Sequence, residues 1–373
     1  MALIRALGYH IAPLNLEVGP EDLSKRLYGL ASKIDNLCRG FDCEVWTRRI
    51  VLPQLPDVDP RRIMRYVDIA EQFAHDMKVD FIALPFSNFE FNKYGIKLVE
   101  ILGENKKVVS SVKVAELGDV PTYAKITDAV STLFEMAEVA GPEGCTRFAL
   151  AYGDQPETAY FPDAASRRDG FSITLRYIPD LLEKVYPSSK IDDLVVTLLY
   201  IFKHFDTLAK RISKDFETQY LGIDTSLSPW MEESVARLVS KILDDEFGSP
   251  GTYEVLNRLN MALERASSEI TALGFCEVML SVAEDNILKD LCRAGKIQLK
   301  ELVSMISICV SGLDMVAIPL STPKKRLARL LMDTFAIACK KRKPIGVRLI
   351  PVPCEPNSNV EVGRFGKMPV LQV

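Results

Sequence analysis

The chain has 373 residues, a net charge of −4 and 26% charged side chains, a balance that argues against a general binder of nucleic acid or of anionic membranes. Apolar residues make up 48%, enough to bury a large core, yet no apolar run reaches the roughly 18 residues that cross a bilayer. Three histidines and eight cysteines without a C-x-x-C pair leave little material for a zinc site, a histidine-rich centre or a Ser–His–Asp triad.

Strand-like and helix-like stretches alternate along the chain. The opening "MALIRALGYHIAPL" has no small-residue cleavage pattern and reads as a strand, which predicts a cytoplasmic protein with reduced thiols. "PEDLSKRLYGLASKIDNLCR" begins with Pro20 and two acids, a helix start. "CEVWTRRIVL" predicts a strand, "DPRRIMRYVDIAEQFAHDM" a helix and "VDFIALPF" a short buried strand. A helix over roughly 92–103, the strand "KKVVSSVKV" and the helix "YAKITDAVSTLFEMAEVA" follow. "TRFALAY" and "GFSITLRYI" are strands around a turn-rich connection, "GDQPETAYFPDAASRRDG". Beyond them come a helix over about 189–214, the strand "QYLGID" and helices from about 231 and 252. The last strands fall within "SEITALGFCEVMLSVAED", in "GLDMVAIPL" and in "IGVRLIPV", with the helix "PKKRLARLLMDTFAIACKK" before the final one. About ten strands alternating with helices predict one α/β unit over 1–373, either a mostly parallel sheet or a closed barrel.

Four arginines stand alone inside apolar strands: Arg5, Arg49, Arg176 and Arg348. A buried guanidinium must be paired or face a polar cavity. Facing inward, Arg49 and Arg348 would bind a small anion, a carboxylate or phosphate; the alternative is pairing with the protein's own acids. "LGIDTSLSPW" ends a strand with Asp224 and Ser226, where ligands of α/β sheets collect. Asp224 is therefore a candidate general base or hard-metal ligand and Ser226 a ligand contact, or else Asp224 caps a turn. Glu284 and Asp285 in "VAED" either serve a helix start or hold a divalent cation such as Mg²⁺. Asp314, placed near the start of its strand, is a second catalytic candidate. In "FGSPGT", Gly248, Gly251 and Thr252 precede a helical run; free amides there attract anions, with Thr252 as the cap, although an ordinary turn looks the same. No Gly-Lys-Ser/Thr ending follows, which excludes a nucleotide P-loop.

"MISICVSGLDMVAIPLSTP", "VRLIPVP", "VEVGRFGKMPV", "GIDTSLSP", "FGSPGT" and "YFPDAASRRDGFSITL" together resemble the uncharacterised bacterial and archaeal proteins grouped as domain of unknown function 711. The resemblance runs from "LIRALGYHI" to the C-terminus. It implies a ten-stranded α/β barrel of two antiparallel five-stranded halves, like that of pyruvate formate-lyase and ribonucleotide reductase. In such a barrel strand starts and ends share a rim, which admits Asp314 to a site. The resemblance brings no activity, and function must come from the site. Glycyl-radical chemistry is not expected, because "VGRFGKMPV" lacks the Arg-Val-x-Gly-Tyr-like setting and no adjacent cysteine pair exists.

Two functions are expected. One is an enzyme for a small anionic metabolite, oriented by Arg348 and the 248–252 loop, with Asp224 and Arg348 facing one cavity. The other is a non-catalytic ligand-binding or assembly protein using the same pocket. The helices containing "DDLVVTLLYIFKHF" and "LARLLMDTFAIAC" are apolar over more than the roughly 100° that one core face needs, which predicts a homo-oligomer. No nucleic-acid or membrane partner is expected.

Overall fold

Five strands of the first half lie side by side: β1 (Leu3–His10), β2 (Val45–Val51), β3 (Phe81–Phe86), β4 (Val108–Ala115) and β5 (Phe148–Tyr152). The computed structural model describes residues 2–13, 20–41, 43–55, 60–87 and 89–373. Helices α1 (Pro20–Gly40), α2 (Pro60–Asp76), α3 (Phe91–Glu104), α4 (Tyr123–Val139) and α5 (Gly141–Thr146) connect these strands, and every neighbouring pair is parallel. Parallel neighbours need such helical crossovers, and helices on the sheet bury its strands end to end. β4 and β5 are accordingly almost wholly buried.

The second half contributes β6 (Gly170–Arg176), α6 (Ile178–Lys184), α7 (Ile191–Asp215), β7 (Tyr220–Asp224), α8 (Val235–Leu243) and α9 (Thr252–Ser267). Next come β8 (Met279–Ser281), α10 (Asn286–Arg293), α11 (Leu299–Met305), β9 (Ser311–Asp314), β10 (Val316–Pro319) and α12 (Lys324–Lys341). The chain then forms β11 (Ile345–Val347), β12 (Leu349–Val352), β13 (Asn359–Glu361) and β14 (Lys367–Pro369). The main sheet has eight strands in the order β11-β5-β4-β3-β2-β1-β6-β7. β6 runs antiparallel to β1 and β11 antiparallel to β5, so each edge carries strands of the second half. Among the described residues, no helix is long and apolar enough to cross a membrane.

Two differences from the sequence expectation bear on the site. The closed ten-stranded ring is not one continuous sheet, since ladder pairing stops at β7 and β11, and β8–β9 form a separate two-stranded sheet. In addition, "GLDMVAIPL" and "IGVRLIPV" are each two strands, not one. Met315 takes a left-handed backbone (φ 54°) between β9 and β10. Arg348 lies at the matching break, its N–H donating to the Leu313 carbonyl and its own carbonyl accepting from Val316 N, both at 3.2 Å. β10 then leaves β9 behind and pairs with β12. Asp314 is therefore the last residue of its strand, not near its start.

Candidate functional site

A cavity of about 80 Å³ lies where the two halves face each other. The first half supplies Arg5 from β1, Arg49 from β2 and Phe81 from β3; the second supplies Glu284, Asp314 and Arg348. The loop from β5 to β6 adds Tyr160 and Asp163, and the turn before β14 adds Arg364.

The arginines differ in how they are held. Arg348 makes a two-pronged pair with Asp314, Nη2 to Oδ2 at 2.7 Å and Nε to Oδ1, with both side chains largely buried. Burial works against its charge, but Asp314 more than compensates and raises its pKa above the ordinary arginine value. Arg5 reaches Glu284 at 3.4 Å and the Pro229 carbonyl at 2.8 Å and lies against the rings of Trp46, Tyr160 and Trp230. Arg49 has neutral partners: Thr47 Oγ1 at 3.0 Å, the Ala159 carbonyl at 2.7 Å and the faces of Phe81 and Phe161. Burial, with Arg5 and Arg364 nearby, pulls its pKa down to about 9. Arg364 lies against Phe81, Trp230 and Phe365. Arg176, the fourth strand arginine of the sequence pattern, is instead paired with Glu233 and lies over Trp46.

Buried polar atoms without a hydrogen-bond partner collect on this wall: Arg5 Nε, Asp163 Oδ1 and Ser311 Oγ. Native interiors leave few such atoms, and each needs an explanation. A polar ligand or water inside the cavity supplies one.

Of the residues singled out from sequence, Arg5, Arg49, Arg348, Glu284 and Asp314 meet at this cavity. Asp224 and Ser226 are fully buried but do not line it, so Asp224 and Arg348 do not share it. Asp224 Oδ2 accepts from Thr158 Oγ1 at 2.6 Å and Phe275 N at 3.1 Å. Its Oδ1 accepts from Ser226 Oγ at 2.6 Å, Ser226 N at 3.0 Å and Cys276 N at 3.2 Å. Burial pushes its pKa up, and these donors pull it back. It is a clamp between three segments.

Glu284 and Asp285 do not converge on a cation. Asp285 turns onto helix starts, accepting from Ser234 Oγ (2.6 Å), Ala236 N (3.1 Å) and Leu288 N (3.1 Å), the ordinary work of an N-cap. Glu284 closes a short 3-10 turn (Val282–Glu284) and meets Arg5, whereas Asp285 is already extended and engaged by the helix starts, which separates the pair. The 248–252 loop is also away from the cavity. Gly251, not Thr252, occupies the cap position. Thr252 Oγ1 accepts from Gly248 N at 2.9 Å and donates to the Ser249 carbonyl at 2.8 Å, so the turn satisfies itself. A side chain at Gly251 would meet Leu243, and Gly251 itself is left-handed (φ 103°), which is why glycine stands there.

Sequence reasoning missed Asp163, Tyr160 and Arg364. The first two lie in a connection without periodicity. Arg364 had a weak signal in "VGRFG", where Gly363 and Gly366 both take positive φ and turn the chain back onto the cavity.

The molecule is thus a mixed α/β protein built on a mostly parallel sheet, with an arginine-lined cavity between its halves. Residues 21–359 match the family described as "Uncharacterised ACR (DUF711)", and the chain belongs to that family. Among its relatives is a "UPF0210 protein" of Methanopyrus kandleri, 26% identical over 340 residues, covering 83% of this chain and 74% of the relative. A "UPF0210 protein" of Sulfurisphaera tokodaii is 21% identical over 381 residues, covering 95% and 84%. Another, of Clostridium beijerinckii, is 28% identical over 295 residues, covering 74% and 65%. None of these names states an activity.

Proposed function

We propose that the protein is an enzyme acting on a small carboxylate or phosphate held in the arginine-lined cavity. The observation that carries this is Arg49, a half-buried guanidinium whose hydrogen-bond partners are all neutral. Its fork is a ready two-pronged partner for an anion, and such a ligand would offset the cost of its burial. Arg5, Arg348 and Arg364 surround the same space, against the carboxylates of Asp163, Glu284 and Asp314. Asp314 holds the Arg348 guanidinium in place and so acts as its positioning partner. A non-catalytic ligand-binding protein is the second reading; it is favoured by Glu284 and Asp314 already being paired with arginines.

The cavity also fits a ring of ten strands closed around it. Support comes from main-chain hydrogen bonds beyond the ladders: Met279 N to the Leu227 carbonyl, Val310 N to the Val278 carbonyl and Arg348 N to the Leu313 carbonyl. Parallel pairing of β8 with β9 supports it as well. These links would complete the circle β5-β4-β3-β2-β1-β6-β7-β8-β9-β11, with five parallel strands in each half.

The test is titration calorimetry with oxalate and with sulfate. Wild type is expected to bind at least one of them, and Arg49→Gln to bind about tenfold more weakly or worse, a loss of about 1.4 kcal/mol. The variant is expected to keep its stability, because it removes a charge that Arg5 and Arg364 repel. Absence of wild-type binding, or equal binding by the variant, sinks the anion site.

Self-association belongs to the same proposal. Val196 and Tyr200, one turn apart on α7, are 68% and 83% exposed. Exposed apolar surface of this kind suits a subunit contact. Sedimentation velocity at micromolar concentration is expected to show an oligomer that Tyr200→Glu dissociates; a monomeric wild type refutes it.

A further inference from the structure

We infer that Asp163 is the acid–base residue of the cavity: its carboxyl group touches the bound anion and gives a proton to one of that anion's oxygens. The inference rests on the anion site proposed above and assigns it a chemical step.

The three acids of the wall are not alike. Asp314 is gripped by Arg348, and Glu284 is reached by Arg5. Asp163 has no ion-pair partner and no hydrogen bond among the described residues, and its Oδ1 is sealed from solvent. Its other oxygen is pressed against β11, where an added Cβ on Gly346 would lie 1.8 Å from Oδ2. Gly346 thus supplies the space that lets the carboxyl sit on the cavity wall. Both residues line the cavity.

A carboxylate held this way is poorly stabilised as an anion. The charged groups facing it are Arg348, which favours ionisation, and Asp314, which opposes it; across the cavity stand Arg5, Arg49, Glu284 and Arg364. Burial is the largest influence and, together with Asp314, pushes the Asp163 carboxyl up to about 7. A group with both protonation states accessible near neutrality is suited to general acid–base work. A second negative charge, arriving with the ligand, raises its proton affinity further. The protonated form then donates to the ligand. A sulfate probe accepts this as a hydrogen bond; on a substrate whose oxygen gains charge as it reacts, the Asp163 O–H bond breaks, its electron pair stays on the carboxylate, and an O–H bond forms on that oxygen.

Sulfate is the first probe, because it does not itself titrate near neutrality, and oxalate is the second. Calorimetry of the full chain in buffers of different ionisation enthalpy counts the protons taken up on binding. Wild type is expected to take up a fraction of a proton at about pH 7.5, with affinity falling by up to about tenfold per pH unit above about pH 7, where the free carboxyl is ionised and the bound one still protonated, and levelling off once the bound carboxyl ionises too. Asp163→Asn, which preserves shape, is expected to bind sulfate with no proton uptake and no such pH slope. Proton uptake unchanged in the variant overturns the role of Asp163 and leaves the anion site standing. No binding by wild type removes the anion site, and this inference with it. Infrared difference spectra of wild type give an independent reading should the variant fold poorly. A protonated-carboxyl band that grows on sulfate addition is expected, and its absence overturns the inference.

Discussion

Replacing Arg348 with methionine is expected to lower stability by about 3–5 kcal/mol, the usual cost of removing one partner from a buried pair. The guanidinium makes two hydrogen bonds to Asp314, and only about a tenth of either side chain meets solvent. Without it, Asp314 is a lone charge in the interior and Asp163 loses its nearest countercharge. The check is urea unfolding, where the midpoint should fall with an unchanged slope. The cost should shrink at acid pH, because the orphaned Asp314 then carries a proton. Arg348→Met with Asp314→Leu should recover much of the loss, since replacing both ions with apolar groups removes both desolvation penalties. A single substitution costing less than about 1 kcal/mol would be the behaviour of an exposed pair and would contradict the geometry described.

Asp224→Ala is expected to cost a similar amount, about 3–5 kcal/mol, for a different reason. Five hydrogen bonds converge on that carboxylate from Thr158, Ser226, Phe275 and Cys276. Truncation leaves buried amides without an acceptor, each costing about 1–3 kcal/mol. Hydrogen exchange at Phe275 and Cys276 should accelerate together with the loss of stability. Gly274→Ala should produce the same defect from the other side, since its Cβ would fall 2.1 Å from Asp224 Oδ2 at a left-handed position (φ 85°). Should Asp224→Ala remain as stable as wild type while abolishing turnover, Asp224 is catalytic and the clamp is not its purpose.

The contrast between these two residues shows what could be read from the chain. An arginine inside an apolar strand is an energetic anomaly visible without a structure, and Arg49 and Arg348 did face the cavity. An acid at a strand end carries no such mark. Asp224 looks the same in sequence whether it opens to a ligand or ties three segments together, and here it ties them. Strand–helix alternation located the elements of the first half because each parallel crossover needs its own helix. The break at Met315 stayed hidden, since a non-glycine residue in a left-handed turn leaves no compositional trace, and so did the matching break at Arg348. Gly251 was read as letting the backbone approach an anion; it stands in a left-handed turn against Leu243 and does not line the cavity.

Arg5 and Arg364 stand on one cavity wall although almost the entire described chain lies between them. A nascent polypeptide therefore holds no finished pocket until Arg364 has left the ribosome, however well the first five strands have formed. Contacts of such sequence separation form slowly, because loop closure precedes any reward from packing. The proposed anion binding would thus report completion of the fold in time: a pulse-labelled chain should gain it only once Arg364 has emerged, later than it gains protease resistance in the β1–β5 half.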